Sequence, residues 1–309
     1  MYMLHGYHIL AEFSTENAGL SRWTFCEKGG RTFFIKEFLS PVYPVHQGEL
    51  SARSVERKKK VCETYYAKKS QFYKELEKCR TGNNVIVQDF FRDGSHYYIV
   101  TDKIDSVGSD PKLISKLGDD QKTTIIRSIL YSIAELHRRR IVHADIKADN
   151  VLLKETADGY YAAKIIDFDA GFLEGDEPEE IQGDFVYMAP ETFLRMQGES
   201  VSLTGTIDMF ALGILFHQYW TGELPKFSSE YQYAFEAILN GSTLNLSLRI
   251  PDAIRTVLEK MLAKDVNSRI SPSDALMLIK GARNVSDVPL QQRASRLKKS
   301  KEFTRHYDS

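Results

Sequence analysis

Residues 51–79 contain neither glycine nor proline, are rich in Lys and Glu, and carry apolar side chains at Val61, Tyr65, Phe72, Leu76 and Cys79. That pattern predicts one long helix, and Gly82-Asn83-Asn84 predicts its end. Its surroundings are of another kind. Residues 7–13, 22–26 and 32–38 alternate or cluster β-formers, with a turn at Lys28-Gly29-Gly30-Arg31. Residues 85–91 and 96–101 predict a hairpin turning at Asp93-Gly94. The first hundred residues therefore form a β-rich region with one helix embedded in it.

After Asp105 the character changes. Asp119 and Asp120 predict the cap of a helix with apolar positions Ile125, Ile126, Ile129, Leu130 and Ile133. Short strands are expected at Val142, at 151–153 and at 163–166, and from Ile207 onward the chain reads as helices with short loops. The longest apolar run, 209–216, falls short of the ~20 residues a membrane span needs and reads as a buried core helix. The expected fold class is α+β, with a small β-rich lobe at 1–104, a larger helical lobe at 105–282 and a basic tail at 283–309.

The formal net charge of -1 gives no field that would draw nucleic acid or a membrane surface. Cys26, Cys62 and Cys79 are odd in number and lack metal-ligand spacing, which argues against a disulfide framework or zinc site and for a reducing compartment. The N-terminus shows no basic stretch followed by an apolar run. These features point to the cytoplasm.

The chemistry concentrates in His143-Ala144-Asp145-Ile146-Lys147-Ala148-Asp149-Asn150, followed by Asp167-Phe168-Asp169 behind the apolar strand Ala163-Lys164-Ile165-Ile166. A polar loop with capping aspartates is the plain reading of the first motif alone. Its order and spacing, however, resemble the catalytic loop H-R-D-x-x-x-x-N and the D-F-G motif of protein kinases. The resemblance covers roughly residues 7–280. Thr32-Phe33-Phe34-Ile35-Lys36 resembles V-A-I-K, Gly183 to Glu191 resembles the end of an activation segment, and Asp265-Val266-Asn267-Ser268-Arg269 resembles the segment whose Arg pairs with the A-P-E glutamate, here Glu191.

The resemblance implies a two-lobed kinase fold that moves the γ-phosphoryl group of ATP, with Mg²⁺, onto Ser/Thr hydroxyls of a protein substrate. Phosphoryl transfer needs an oriented nucleophile, charge neutralisation and metal positioning. Asp145 would orient the hydroxyl or accept its proton, and Lys147 would offset phosphoryl charge. Asn150 and Asp167 would hold the metal. Lys36 would contact the phosphates, with Glu75 as its partner on the long helix and Glu63 and Glu56 as alternatives. Gly19, Ala18, Thr101, Asp102, Ile104 and Leu152 would complete the nucleotide site.

Several positions depart from the family pattern. The phosphate loop around residues 14–21 holds one glycine, Gly19. Phe34 stands where the family has a small residue over the adenine, and Trp23 is bulky too, so either the strand register differs or the nucleotide pocket is unusual. Asp169 replaces a glycine. Ala144 replaces the Arg that a phosphorylated activation loop neutralises, and the segment 170–188 has no Ser or Thr, only Tyr187. Activity without phosphorylation of that segment is expected. Asp184 stands where Ser/Thr kinases carry a Thr, and its carboxylate would pair with Lys147 or repel Asp145.

The acidic segment, with Glu174, Asp176, Glu177, Glu179 and Glu180, predicts a substrate basic around its acceptor, and Ser295 or Ser300 in the basic tail as an autophosphorylation site. Two rivals remain. A pseudokinase is favoured by the poor phosphate loop and Phe34, and opposed by Lys36, Asp145, Lys147, Asn150 and Asp167. A small-molecule phosphotransferase of the aminoglycoside or choline kinase type shares H-x-D-x-x-x-x-N and I-D-F, but Met188-Ala189-Pro190-Glu191 with Arg269 belongs to protein kinases.

Overall fold

The computed structural model describes residues 2–16, 19–45, 51–80, 83–156, 159–179, 181 and 183–281. The chain divides into two compact units. One is Met1–Arg80 with Val85–Ile104; the other is Thr81–Asn84 with Asp105–Ser309.

In the first unit six strands form one antiparallel sheet in the order β1-β2-β3-β4-β6-β5. They are β1 (Met3–Leu4), β2 (Tyr7–Ile9), β3 (Ser21–Lys28), β4 (Arg31–Phe38), β5 (Val87–Asp93) and β6 (His96–Asp102). Gly29 and Gly30 both take positive φ, 58° and 74°, which lets β3 turn tightly into β4. The expected strand over 7–13 stops at Ile9, and Ser14 rejoins the sheet as a single bridge to Trp23. The β1–β2 hairpin, turning at His5 and Gly6, was not expected.

Side chains alternate across the strands. One face buries Tyr7, Ile9, Cys26, Phe33, Ile35, Phe91, Tyr98 and Val100 together. The other face receives helix α1 (Ala52–Glu77), whose N-cap Ser51 accepts the Ser54 N–H. Tyr65 of α1 packs against Phe38, Phe90 and Tyr97, with ring centroids 5.2–6.4 Å apart. The Tyr97 hydroxyl donates to the Cys62 carbonyl at 3.2 Å. Gly82, expected to stop this helix, lies outside the described residues; α1 ends before it, at C-cap Lys78.

The second unit starts with an outlier in sequence. Asn84 bridges Ile165, the Asn83 carbonyl accepts the Ile165 N–H at 2.8 Å, and Asn83 Nδ2 donates to Ser128 Oγ at 3.2 Å. The two asparagines thus belong with the helical unit, although the sequence reading put 81–84 in the β-rich one. Its helices are α2 (Pro111–Ile114), α3 (Asp119–Arg138), α4 (Pro190–Met196), α5 (Thr206–Thr221), α6 (Ala234–Leu239), α7 (Asp252–Met261) and α8 (Pro272–Gly281). Two small ladders pair β7 (Ile141–Val142) with β10 (Phe172–Leu173), and β8 (Val151–Glu155) with β9 (Tyr161–Ile165).

Asp119 and Asp120 do not cap α3. Its N-cap is Gly118, without a side-chain bond, and the two aspartates sit in the first turn, where their charge suits the helix dipole. Helix α5 is buried along nearly its whole length, as its apolar run requires. Among the described residues no helix is long and apolar enough to cross a membrane. Cys26, Cys62 and Cys79 are buried and form no disulfide.

Candidate active site

The catalytic-loop residues lie between β7 and β8, closed by a 3-10 turn at Ala148–Asn150. Three of them converge. Lys147 Nζ lies 2.9 Å from Asp145 Oδ2. Asn150 Nδ2 donates to the Asp145 carbonyl at 2.8 Å and to Asp145 Oδ2 at 2.9 Å. One carboxylate is thereby fixed by an ammonium and an amide.

The loop's backbone is held from beneath. Asp208, buried in the first turn of α5, accepts the His143 N–H and the Ala144 N–H at 2.9 Å each, and lies 2.9 Å from His137 Nε2. A buried carboxylate without donors would cost several kcal/mol, so these bonds fix the loop to the helix. Ala144 takes φ 64°, a left-handed turn that lets both N–H groups face one acceptor. His143 is fully buried. Its Nε2 donates to the Ile166 carbonyl at 3.0 Å, since a carbonyl only accepts, and its Nδ1 takes the Asp145 N–H at 3.3 Å. Its ring centroid lies 4.7 Å from that of Phe168, tying the Asp167-Phe168-Asp169 segment to the loop. Asp167 adopts φ 60°. In sequence, Asp208 resembles the residue that opens the family's central helix, which names no partner for it, and His143 has no assigned task. The available signal was an acid inside an otherwise apolar helix, which must find donors.

Burial lowers the pKa of Lys147, but the hydrogen bond to Asp145 and the charges of Asp145, Asp184 and Asp167 outweigh it, and the net shift is upward. Asp184 therefore supports the charge of Lys147. Its Oδ1 is occupied by the Val186 N–H at 2.9 Å. Asp145 and Asp184 share the wall of a small solvent-open recess with Ala144, Gly183 and Tyr187. The Tyr187 hydroxyl donates to Gln218 Oε1 at 2.8 Å, and burial pushes its pKa up to about 12. Glu191 and Arg269 form the expected buried pair, with Nη2 3.2 Å from Oε2.

The remaining expected residues lie elsewhere in the chain's elements. Lys36 is in β4, 7% exposed, on the face that receives α1. Glu75 does not make the expected pair: its carboxylate takes Lys78 Nζ at 2.7 Å and Gln71 Nε2 at 3.4 Å. The reason is helical geometry, since Lys78 lies one turn on, within reach of a side chain near the helix end. Thr101 and Asp102 end β6, with Ile104 just beyond, and Asp102 is joined to Arg31 at 3.0 Å. Leu152 pairs with Lys164 in the β8–β9 ladder. Gly19 takes φ 56°, a conformation that favours glycine. Ala18 lies outside the described residues.

The register question has an answer. Trp23 faces Lys36 and Phe25 faces Phe34 across β3–β4, so no slip removes the aromatic side chains. Trp23, Phe25 and Phe34 form one cluster on the Lys36 face, with centroids 5.5–6.2 Å apart.

Residues 46–278 match the model of the protein kinase domain. The match begins after Lys36 and the phosphate-loop region. The chain is 28% identical over 218 residues to the serine/threonine-protein kinase RAD53 of Saccharomyces cerevisiae, covering 65% of this chain and 26% of that protein. It is 32% identical over 157 residues to the mitogen-activated protein kinase kinase kinase mkh1 of Cytospora mali, covering 49% of this chain and 8% of that one. A protein described as a probable serine/threonine-protein kinase of Encephalitozoon cuniculi is 28% identical over 236 residues, covering 74% of this chain and 40% of that one. The chain thus spans less than half the length of these relatives. The catalytic loop clamped by Asp208, the buried Glu191–Arg269 pair and the matched domain agree: the chain belongs to the protein kinase family, with the two-lobed fold of eukaryotic serine/threonine kinases.

Proposed function

We propose that this chain transfers the γ-phosphoryl group of ATP to Ser or Thr hydroxyls of protein substrates. The observation that carries this reading is the Asp145–Lys147–Asn150 cluster, in which every side chain is oriented by another. Asp145 accepts or orients the proton of the attacking hydroxyl. Lys147, held charged, sits where phosphoryl charge is offset.

The donor set fits Mg²⁺. Asn150 gives its Nδ2 to Asp145 and so keeps Oδ1 as an acceptor, and with the Asp167 carboxylate it offers hard oxygen ligands. Among the described residues no group of three or more His, Cys, Asp or Glu could hold a metal by itself. Mg²⁺ bound through one carboxylate, one amide and phosphate oxygens needs no such group. When bound, the metal neutralises phosphate charge. Lys36 is assigned to the phosphates, and Gly19, Ala18, Thr101, Asp102, Ile104 and Leu152 to the rest of the nucleotide; Glu75 would reach Lys36 only after leaving Lys78.

The substrate segment is expected to be basic, drawn by Glu174, Asp176, Glu177, Glu179 and Glu180. Ser295 or Ser300 would be such a site in the chain itself; both lie outside the described residues. Cytoplasmic location fits this reading. A second reading, a pseudokinase that binds partners, is favoured by the Trp23–Phe25–Phe34 cluster, which adds bulk where the family leaves room for adenine. Incubation with radiolabelled ATP, Mg²⁺ and a basic protein, with Asp145→Asn as control, tests both. Label that the substitution removes supports transfer. ATP binding without transfer to any protein supports the second reading.

A further inference from the structure

Helix α5 begins at Gly205, an N-cap with no side chain to offer the helix's unpaired N–H groups. Nor is there room for one, because a Cβ there would stand 2.7 Å from the His137 ring. His137 is held in place by Asp208, the same residue that carries the catalytic loop. Two side chains outside the helix serve instead: Thr204 Oγ1 accepts the Thr206 N–H at 3.4 Å, and Glu174 Oε1 accepts the Gly205 N–H at 2.9 Å. A carboxylate at a helix N-terminus is favoured by the dipole, and the bond is charge-assisted.

Glu174 also meets the other support of the catalytic loop. It follows β10 directly, and Arg140 precedes β7, the strand that leads into the loop. The Glu174 N–H donates to the Arg140 carbonyl at 2.8 Å, and Arg140 Nη2 donates to the Glu174 carbonyl at 3.1 Å. The side-chain ion pair is looser, 3.7 Å with the Arg 71% exposed, and contributes little. The bond to Gly205 carries the weight. Glu174 is thus the point where the activation segment is fastened to both elements that hold Asp145.

We propose that Glu174 is a positioning residue whose permanent charge orders the start of the activation segment without added phosphate. Two observations bear on the phosphate. Residues 170–188 hold no Ser or Thr, and the one hydroxyl there, on Tyr187, is engaged by Gln218. The activity arm of the proposal rests on the kinase reading; the order of the segment does not.

The test uses the full chain after phosphatase treatment. Glu174→Ala, Glu174→Gln and Arg140→Ala are compared in cleavage by a glutamate-specific protease at Glu177 and Glu179, and in kcat and KM with a basic protein substrate. Glu174→Ala should be cleaved about tenfold faster and lose about tenfold in kcat, equivalent to about 1.4 kcal/mol, with KM for ATP unchanged. Glu174→Gln, which keeps an acceptor for Gly205 but no charge, should fall between, cleaved about threefold faster. Arg140→Ala should stay within about twofold of the parent. Parent-like cleavage of both Glu174 variants overturns the proposal, as does loss of parent activity on phosphatase treatment. If Glu174→Ala does not fold, Glu174→Gln decides by the same cleavage. If the parent transfers no phosphate under any treatment, the kinase reading fails and the cleavage rates alone decide this one.

Discussion

The catalytic loop and the Lys36 face of the β-rich sheet have diverged to different degrees. Around Asp145 the residues that match the family motif are tied, Lys147 and Asn150 to the carboxylate, and the backbone N–H groups of His143 and of Ala144, which departs from the motif, are held by Asp208. Around Lys36 the lysine is present, but Trp23 stands opposite it on β3, Phe34 lies two residues before it on β4 and faces Phe25, and Glu75 is bonded to Lys78. Asp145, Lys147 and Asn150 thus match the family motif, while the face around Lys36 carries bulky aromatic rings. A site for transfer constrains each atom's place, whereas a base-binding surface only has to be apolar and of suitable shape.

The comparison breaks most sharply at Asp145. Asp145→Asn should lower the transfer rate by roughly 10²–10⁴-fold, the range for a positioned acid or base. Radiolabel incorporation measures it, and a loss under tenfold would mean the tied cluster is not the transfer machinery. A second large effect concerns the scaffold of the helical unit. Arg269→Met strands the buried carboxylate of Glu191 and should cost about 3–5 kcal/mol in denaturant unfolding. Arg249→Met, in the exposed pair with Glu223, should cost below about 1 kcal/mol. Equal costs would contradict the burial contrast.

Phe34→Val sharpens the other side. Removing one ring from the cluster should tighten ATP binding roughly threefold to tenfold, or up to about 1.4 kcal/mol, with kcat at saturating ATP unchanged. Equilibrium binding to the folded variant reads it. Weaker binding would instead make the aromatic face the base's own stacking surface.

The smallest effect concerns pH. Lys147 has a folded pKa above its ordinary 10.5, so its stabilising charge is fully present below 10.5 and is lost as pH rises through the raised value. Asp184→Asn removes one of the carboxylates that raise it. The alkaline fall in transfer rate should then begin at lower pH, with little change near neutrality. An unchanged alkaline limb would mean Asp184 does not act on Lys147.

Much of this was legible in sequence because it is local. The α1 segment, the β5–β6 hairpin, the apolar α5 run and the spacing from Asp145 to Asn150 are set by periods and turns of a few residues, and each appears in the structure near its expected place. Glu191 with Arg269 was legible for another reason, a resemblance that supplied the distant partner. The β1–β2 hairpin was missed because its strands, of two and three residues, are too short to show alternation.

What only the tertiary structure decided are the meetings of residues far apart in the chain. Sequence alone placed an acid at 208, an acid at 174 and a glycine at 205. It could not say that the first collects the N–H groups of His143 and Ala144, nor that the second caps the helix the third begins. It paired Glu75 with Lys36 and put 81–84 in the β-rich region, whereas Glu75 bonds Lys78 and 81–84 group with the helical unit. Hydrogen-bonding partners have no periodicity; which donor meets a buried carboxylate is settled by packing, once the apolar faces have closed and the unpaired groups must be satisfied.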